Sequence, residues 1–372
     1  MSLIPILFSI LQALPWTLFP GMTTADDSTP SDRISVAVVL PLSGNTTASG
    51  SSIDFYSGIL LGAKTLGDEG INLNINTFDL STESVSTDGL AKNDIIIGPV
   101  DVNDIIDVCR ELPDSCFLIS PLELKAAGLT DSLPVIQAPT PWQTQAEDLI
   151  LWMMEERSLR DAVLVVEKSD AARSAYGKFL VDMMDSLGIP YKKLSYAPND
   201  GLLINGEYKK RASHEGITRI FVTSDDEAFV NDVIRNASML KLEEYNTVLY
   251  CPSKVKNFEL MDVGYLYNAN VRFTSGYMVN YKDPDVKKFI LSYRALFKCE
   301  PNAFAFQGYD LIRYFVNMVN SFGQDWTDQL RFYRGKGLQT TLQFQGSEST
   351  KGLINKAVRR VTYNPDYSIT IQ

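Results

Sequence analysis

Six loops carry the residues best suited to chemistry in this chain. Each follows an apolar run that reads as a buried strand. They are Ser43-Gly44-Asn45, Gly98-Pro99 and Ser120-Pro121 in the first half, and Lys168-Ser169-Asp170, Thr223-Ser224 and Pro252-Ser253 in the second. Hydroxyls and free backbone amides at strand ends suit hydrogen bonding to a small polar or anionic ligand. They do not form a reaction centre. Neither a GxxxxGK[ST] nor a GxGxxG phosphate loop occurs, and GxSxG is absent. Ser253 and Lys256 fit SxxK formally, without the SDN and KTG elements that would accompany it. The one histidine, His214, lies in a polar stretch and reads as an exposed surface residue. Asp225-Asp226 reads as a helix-terminal pair that favours the positive end of the dipole, in preference to an acid–base couple.

The elements that must hold these loops follow from hydrophobic pattern. ISVAVVLPL (34–42) is a continuous apolar run ending at a Ser-Gly turn. Residues 51–67 then read as a helix, with Tyr56, Ile59, Leu60, Ala63 and Leu66 on one face. Gly58 and Gly62 fall inside it, which predicts close packing against a neighbour. Ile71, Leu73, Ile75 and Thr77 alternate as in a strand. DIIIGPV, CFLISPL and PVIQAP follow, with a helix over 102–112 between the first two. The pattern then repeats: a helix over 143–156, a strand in DAVLVVEKSD (161–170), a helix over 171–187 and a strand in ITRIFVTS (217–224). Ser224-x-x-Glu227 reads as a capping box opening a helix over 225–241, and TVLYCP (247–252) as a strand. Runs of Ile and Val without alternation mark strands covered on both faces, as in parallel sheets between helices. The last third adds YMVNY (277–281), helices over 284–297 and 309–322, and strand-like LQTTLQF (338–344) and YSITI (367–371).

The chain has 372 residues, 45% of them hydrophobic and 21% charged, which exceeds one ordinary core and predicts two lobes. A net charge of −11 disfavours nucleic acid and anionic lipid as partners. No cofactor is expected. Four cysteines without zinc-knuckle spacing, and one histidine, argue against a metal site. Cys109 and Cys116 are close enough for a local disulfide in an oxidising compartment, or are two buried thiols. Residues 1–25 read as a signal peptide, with an apolar run over 3–14 and Thr23 and Ala25 placed for cleavage before Asp26, although no basic residue precedes Arg33. An uncleaved anchor is the alternative. Residues 26–32 read as a polar linker. The expected location is the periplasm or cell envelope.

VAVVLPLSG and the helix carrying Phe55-Tyr56-Ser57-Gly58, then IIIGPV and ISP, then VVEKSDAARSAYGKF with Tyr176-Gly177, and the stretch from Pro301 to Tyr309-Asp310, together resemble the type I periplasmic binding proteins. The likeness spans residues 33–372 and is greatest to leucine-binding-protein-like members, including Bacteroidetes members of the ABC-transporter substrate-binding kind. It implies an α/β fold of two doubly wound, Rossmann-like lobes with mainly parallel sheets and three crossings, near Pro141, Gly276 and Gly335. Lobe 1 would hold 33–140 and 277–335, and lobe 2 would hold 141–276 and 336–372. It implies a non-enzymatic, exported solute-binding protein that closes on a small polar ligand between its lobes, with an ABC permease as partner for amino-acid-type uptake or sensing. Ser43, Gly44, Asn45, Gly98, Pro99, Ser120, Pro121, Tyr176, Thr223, Ser224 and Ser253 would line the cleft. The family's carboxylate-binding threonine aligns with Leu124, and its ammonium-binding acid with Ser253. The resemblance therefore carries no α-amino-acid specificity. The alternative it leaves is an envelope regulator like the lipoprotein activators of penicillin-binding proteins, with a protein partner and no small ligand.

Overall fold

The computed structural model describes residues 33–44, 47–82, 87–113, 115–198, 204–347 and 349–372. The expected signal peptide and linker lie outside them. Along the first stretch run β1 (Ile34–Leu40), α1 (Thr47–Asp68), β2 (Leu73–Asp79), β3 (Ile95–Ile97), α2 (Val102–Glu111), β4 (Leu118–Ser120) and β5 (Val135–Gln137). The second holds α3 (Trp142–Glu156), β6 (Ala162–Lys168), α4 (Ala175–Ser186), β7 (Lys192–Tyr196), β8 (Thr218–Val222), α5 (Glu227–Leu242), β9 (Thr247–Tyr250) and β10 (Val271–Ser275). The last holds α6 (Pro284–Phe297), α7 (Ala303–Phe322), β11 (Gly335–Lys336), β12 (Thr341–Leu342), β13 (Phe344–Gln345), β14 (Leu353–Asn355), β15 (Arg359–Tyr363) and β16 (Ile369–Ile371).

Two compact units result: residues up to Pro141 with Tyr277–Ala357, and Trp142–Gly276 with Val358–Gln372. The third crossing therefore follows Ala357, and the expectation of one near Gly335 is corrected. The reason is hydrogen bonding: β14 pairs in parallel with β5, and β13 with β14, so residues 344–355 extend the first sheet. Only β15 and β16 join the second unit, where β15 lies antiparallel to β10.

The first sheet has the order β13-β14-β5-β4-β3-β1-β2, and the second β16-β15-β10-β9-β8-β6-β7. Within each, the first five strands in sequence are parallel and doubly wound. In β1, Val36, Val38 and Leu40 enter the core shared with α1 and α7, whereas Ala37 and Val39 enter the core shared with α2. Both faces are covered, which is why this run is apolar without alternation.

Glycines let α1 and α7 touch backbone to backbone. A β-carbon on Gly58 would stand 1.9 Å from the Ala305 carbonyl oxygen, and one on Gly308 would stand 2.0 Å from that of Phe55. In the second unit, Arg219 is 1% exposed and fully engaged. It donates to Asp161 at 2.7 Å, to the Tyr250 hydroxyl at 2.7 Å and to the Glu156 carbonyl at 2.8 Å.

Two local expectations are corrected. The helix expected over 171–187 begins at Ala175, where Ser174 caps the Gly177 amide at 3.1 Å. The capping box Ser224-x-x-Glu227 does not form. Asp226 caps α5 through the Phe229 amide at 2.8 Å, because a carboxylate complements the helix dipole better than a hydroxyl. Glu227 instead accepts from the amides of Glu259 and Leu260. No disulfide joins Cys109 to Cys116: both are free thiols. Cys109, on α2, lies in the core, and Cys116 packs half-buried on the same cluster. Burial pushes the Cys109 thiol up to about 12.

The helix contact predicts a contrast within α1. Gly58→Ala should lower stability by about 1–3 kcal/mol, since backbone stands where the methyl must go. Gly50→Ala, which meets nothing within 4 Å, should raise it by about 0.5–1 kcal/mol. Urea unfolding of the two variants beside the wild type checks both signs.

Candidate functional site

In a doubly wound sheet the ligand crevice lies outside the carboxyl ends of the strands, where the strand order reverses. That point is β1/β3 in the first unit and β6/β8 in the second. Four of the six candidate loops follow these strands.

In the first unit, Ser43 follows β1 and is tied to Asp79 at the end of β2. Its hydroxyl donates to that carboxylate, as do the amides of Leu42 at 2.9 Å and Ser43 at 3.4 Å. Burial opposes the charge on Asp79. The hydrogen bonds from the Ser43 hydroxyl and the Ser81, Leu42 and Ser43 amides outweigh it and hold the carboxyl below its ordinary range. Ser49 donates to the Ser43 carbonyl at 3.1 Å, tying this loop to the first turns of α1. Ser43 is therefore committed to the loop itself. Gly44 adopts φ +111° and is exposed, and Asn45 lies outside the described residues.

Gly98, after β3, has φ +96°, and a β-carbon there would fall 2.0 Å from the Val39 carbonyl oxygen. Only glycine passes so close to β1. It precedes Pro99 through a cis peptide bond. Ser120 ends β4 fully buried, and its hydroxyl has no hydrogen-bond partner. Beside it in register on β5, Gln137 is also fully buried. Its amide nitrogen donates to the Pro139 carbonyl at 2.8 Å while its side-chain oxygen is unpartnered. Ser52 in α1 carries a third unpartnered buried oxygen. Pro121 is held by Gln307 of α7, whose side chain donates to the Pro121 carbonyl at 3.5 Å. Leu124, aligned with the family's threonine, is 57% exposed.

In the second unit, the Tyr176 hydroxyl in the first turn of α4 is buried without a partner. Burial pushes its proton affinity up, and the neighbouring Cys251 and Asp225 add to this. Thr223 is not available in the same way, because its hydroxyl donates to the Val166 carbonyl at 3.1 Å. Ser224 accepts from the Asp226 amide at 3.2 Å. Ser253 opens a short 3₁₀ turn after β9. Three residues on, burial pulls the Lys256 amine down to about 7, and it donates to Ser275 at the end of β10 at 2.7 Å.

Ser52, Gln137, Lys256 and Ser275 were not among the residues expected from sequence. Gln137 had a readable signal, since it is the one polar residue closing the apolar strand of PVIQAP. Ser52 had none, because a serine in a helix is ordinarily satisfied by its own backbone. His214 is exposed beside Tyr245, and no group of metal-ligating residues forms among the described residues.

Neither a protein-family model nor a curated protein matches the sequence. Solved structures do. One from Rhodospirillum rubrum, assigned to a branched-chain amino acid ABC transporter, covers 91% of this chain and 100% of its own, with TM-score 0.64 and 14% identity. A substrate-binding protein of an ABC transporter from Desulfitobacterium hafniense, in complex with Leu, also covers 91% of this chain and 100% of its own, with TM-score 0.51 and 15% identity. The chain has the type I periplasmic binding protein fold. A periplasmic ligand-binding protein from Burkholderia xenovorans aligns over the same 91% of this chain and 94% of its own, at TM-score 0.53 and 12% identity. With this fold, the six loops are the ends of the two sheets' parallel strands. Among the described residues no helix is long and apolar enough to cross a membrane.

Asp79 sets a pH signature for this edge. Its folded pKa lies below the ordinary value, so its contribution is present above about pH 4 and is lost as pH falls through the folded value. Asp79→Asn should cost about 1 kcal/mol at pH 7 and flatten the acid limb of the stability curve. Thermal melts from pH 7 down to 3 check this.

Proposed function

We propose that this protein is an exported, non-enzymatic solute-binding protein that takes a small polar solute with the carboxyl-edge loops of its two units and works with an ABC permease. One observation carries the reading. Buried polar atoms without partners are costly and rare. Here Ser52, Ser120 and Gln137 in one unit, and Tyr176 in the other, leave such atoms at or beside the strand ends where this fold takes ligands. A solute hydrogen-bonding to them would recover what folding leaves unsatisfied. Among the described residues of the candidate loops no Ser–His or Cys–His pair forms, which supports binding over catalysis. The resemblance aligns Ser253 with the family's ammonium-binding acid, and an ammonium left without an acid is costly, so the reading favours an uncharged or carboxylate-bearing solute over an α-amino acid.

Ser120→Ala and Tyr176→Phe test this directly. Neither removes a protein hydrogen bond, so both should fold with stability within about 0.5 kcal/mol of wild type. Thermal-shift screening of the wild type against sugars, carboxylates, amino acids, short peptides and muropeptides should yield a ligand worth about 2.7 kcal/mol at 100 times its dissociation constant. Each variant should then bind that ligand about three- to tenfold more weakly. If the variants unfold, or if every solute leaves the melting temperature unchanged, the reading fails.

A further inference from the structure

The first unit carries a concave feature that none of the candidate loop residues lines. A pocket of about 390 Å³ lies between α1, α6, α7 and the 333–342 segment. Tyr309, Tyr314, Tyr333, Phe289 and Leu338 supply its apolar surface. Asp283 and Asp285, at the start of α6, lie on its wall, as does Lys336.

The segment Arg331-Phe332-Tyr333-Arg334-Gly335-Lys336 borders this pocket and runs against the character of the whole chain. It carries three basic residues and no acidic one, in a protein of net charge −11. Phe332 is 83% exposed and Tyr333 44% exposed. The loop is nonetheless fixed. Arg331 donates to the Gly346 carbonyl at 2.9 Å, and the Tyr314 hydroxyl donates to the Tyr333 carbonyl at 3.2 Å. The Tyr333 ring packs on Tyr314 at 5.9 Å and on Phe322 at 6.3 Å. A large ring held out in water on a rigid, Arg-flanked loop has the composition of an interface hot spot, and its rigidity lowers the entropy cost of docking.

We propose that this strip and pocket form a docking site for a partner protein, which lays an acidic segment along Arg331, Arg334 and Lys336 and inserts an aromatic or aliphatic side chain into the pocket. Charge complementarity selects the acidic segment, since it meets three basic side chains with no carboxylate among them on a chain of net charge −11. The same features favour a protein over an anionic membrane. A concave site that takes one side chain suits a protein partner, and a bilayer surface has no use for it.

The test uses the full chain and an array of labelled 12-residue peptides. Each peptide carries one aromatic residue with Asp and Glu flanks, and a matched array carries Lys and Arg flanks. Vesicles of phosphatidylcholine with phosphatidylglycerol form the third arm. Acidic peptides should bind saturably and their Lys/Arg counterparts should not. Phe332→Ser, and Arg334→Glu with Lys336→Glu, should each weaken binding about tenfold or more while melting like wild type. Leu159→Ser, at an exposed position in the other unit, should change nothing. The proposal is overturned if the basic peptides bind equally, if the Phe332 and Arg334/Lys336 variants bind like wild type, or if no peptide binds, with or without vesicle binding.

Discussion

Asp310 is 3% exposed, and its carboxylate accepts from three consecutive backbone amides: Leu338 at 2.7 Å, Gln339 at 3.0 Å and Thr340 at 2.9 Å. A buried carboxylate survives only when its lone pairs are met in this way. The consequences spread through the first unit. Gly337 is required beside it, since a β-carbon there would stand 2.4 Å from the carboxyl group. The held loop pairs with the chain entering from the second crossing, through Tyr277–Thr340 and the Met278 amide on the Gln339 carbonyl at 2.8 Å. Gln307, one turn before Asp310 on α7, accepts from the Thr340 hydroxyl at 2.8 Å and donates to the Pro121 carbonyl. One helix thus fixes the returning chain, the approach to the last strands of the sheet and the loop beside Ser120.

This rigidity explains how polar atoms can remain unsatisfied at the strand ends. An uncommitted hydroxyl ordinarily rotates, or its loop relaxes, until a partner is found. Ser120 and Gln137 sit on adjacent parallel strands whose backbones are locked by the ladder, and the loop after Ser120 is held from α7. By contrast, the hydroxyls of Ser43, Thr223 and Ser224 belong to side chains on the loops themselves, and all three have partners, those of Ser43 and Thr223 on neighbouring strands. Which groups are committed depends on what the fold brings within reach of each side chain.

The same division governs what could be read from the residues. The run from Ile34 to Leu40 identified a strand covered on both faces, and Gly58 and Gly62 announced a close helix contact, because both patterns arise from packing that periodicity records. That the first five strands in each unit are parallel follows from their alternation with helices. The third crossing did not show. The strand Leu353–Asn355 is three residues long, and its sheet membership depends on pairing with β5, more than two hundred residues earlier in the chain. The capping of α5 was misread because Ser224 and Asp226 are both competent caps, and the choice rests on where the helix starts. Of the site, the strand-end loops were visible, but which hydroxyls stay free was not, since that depends on partners distant in sequence.

A crystal structure of the protein with a bound solute tests the central claim, that the unpartnered strand-end atoms are the recognition groups. Solute oxygen or nitrogen atoms should lie within about 3.2 Å of the Ser120 and Tyr176 hydroxyls. A solute bound elsewhere, with those hydroxyls still unpartnered or bonded to protein, would contradict it.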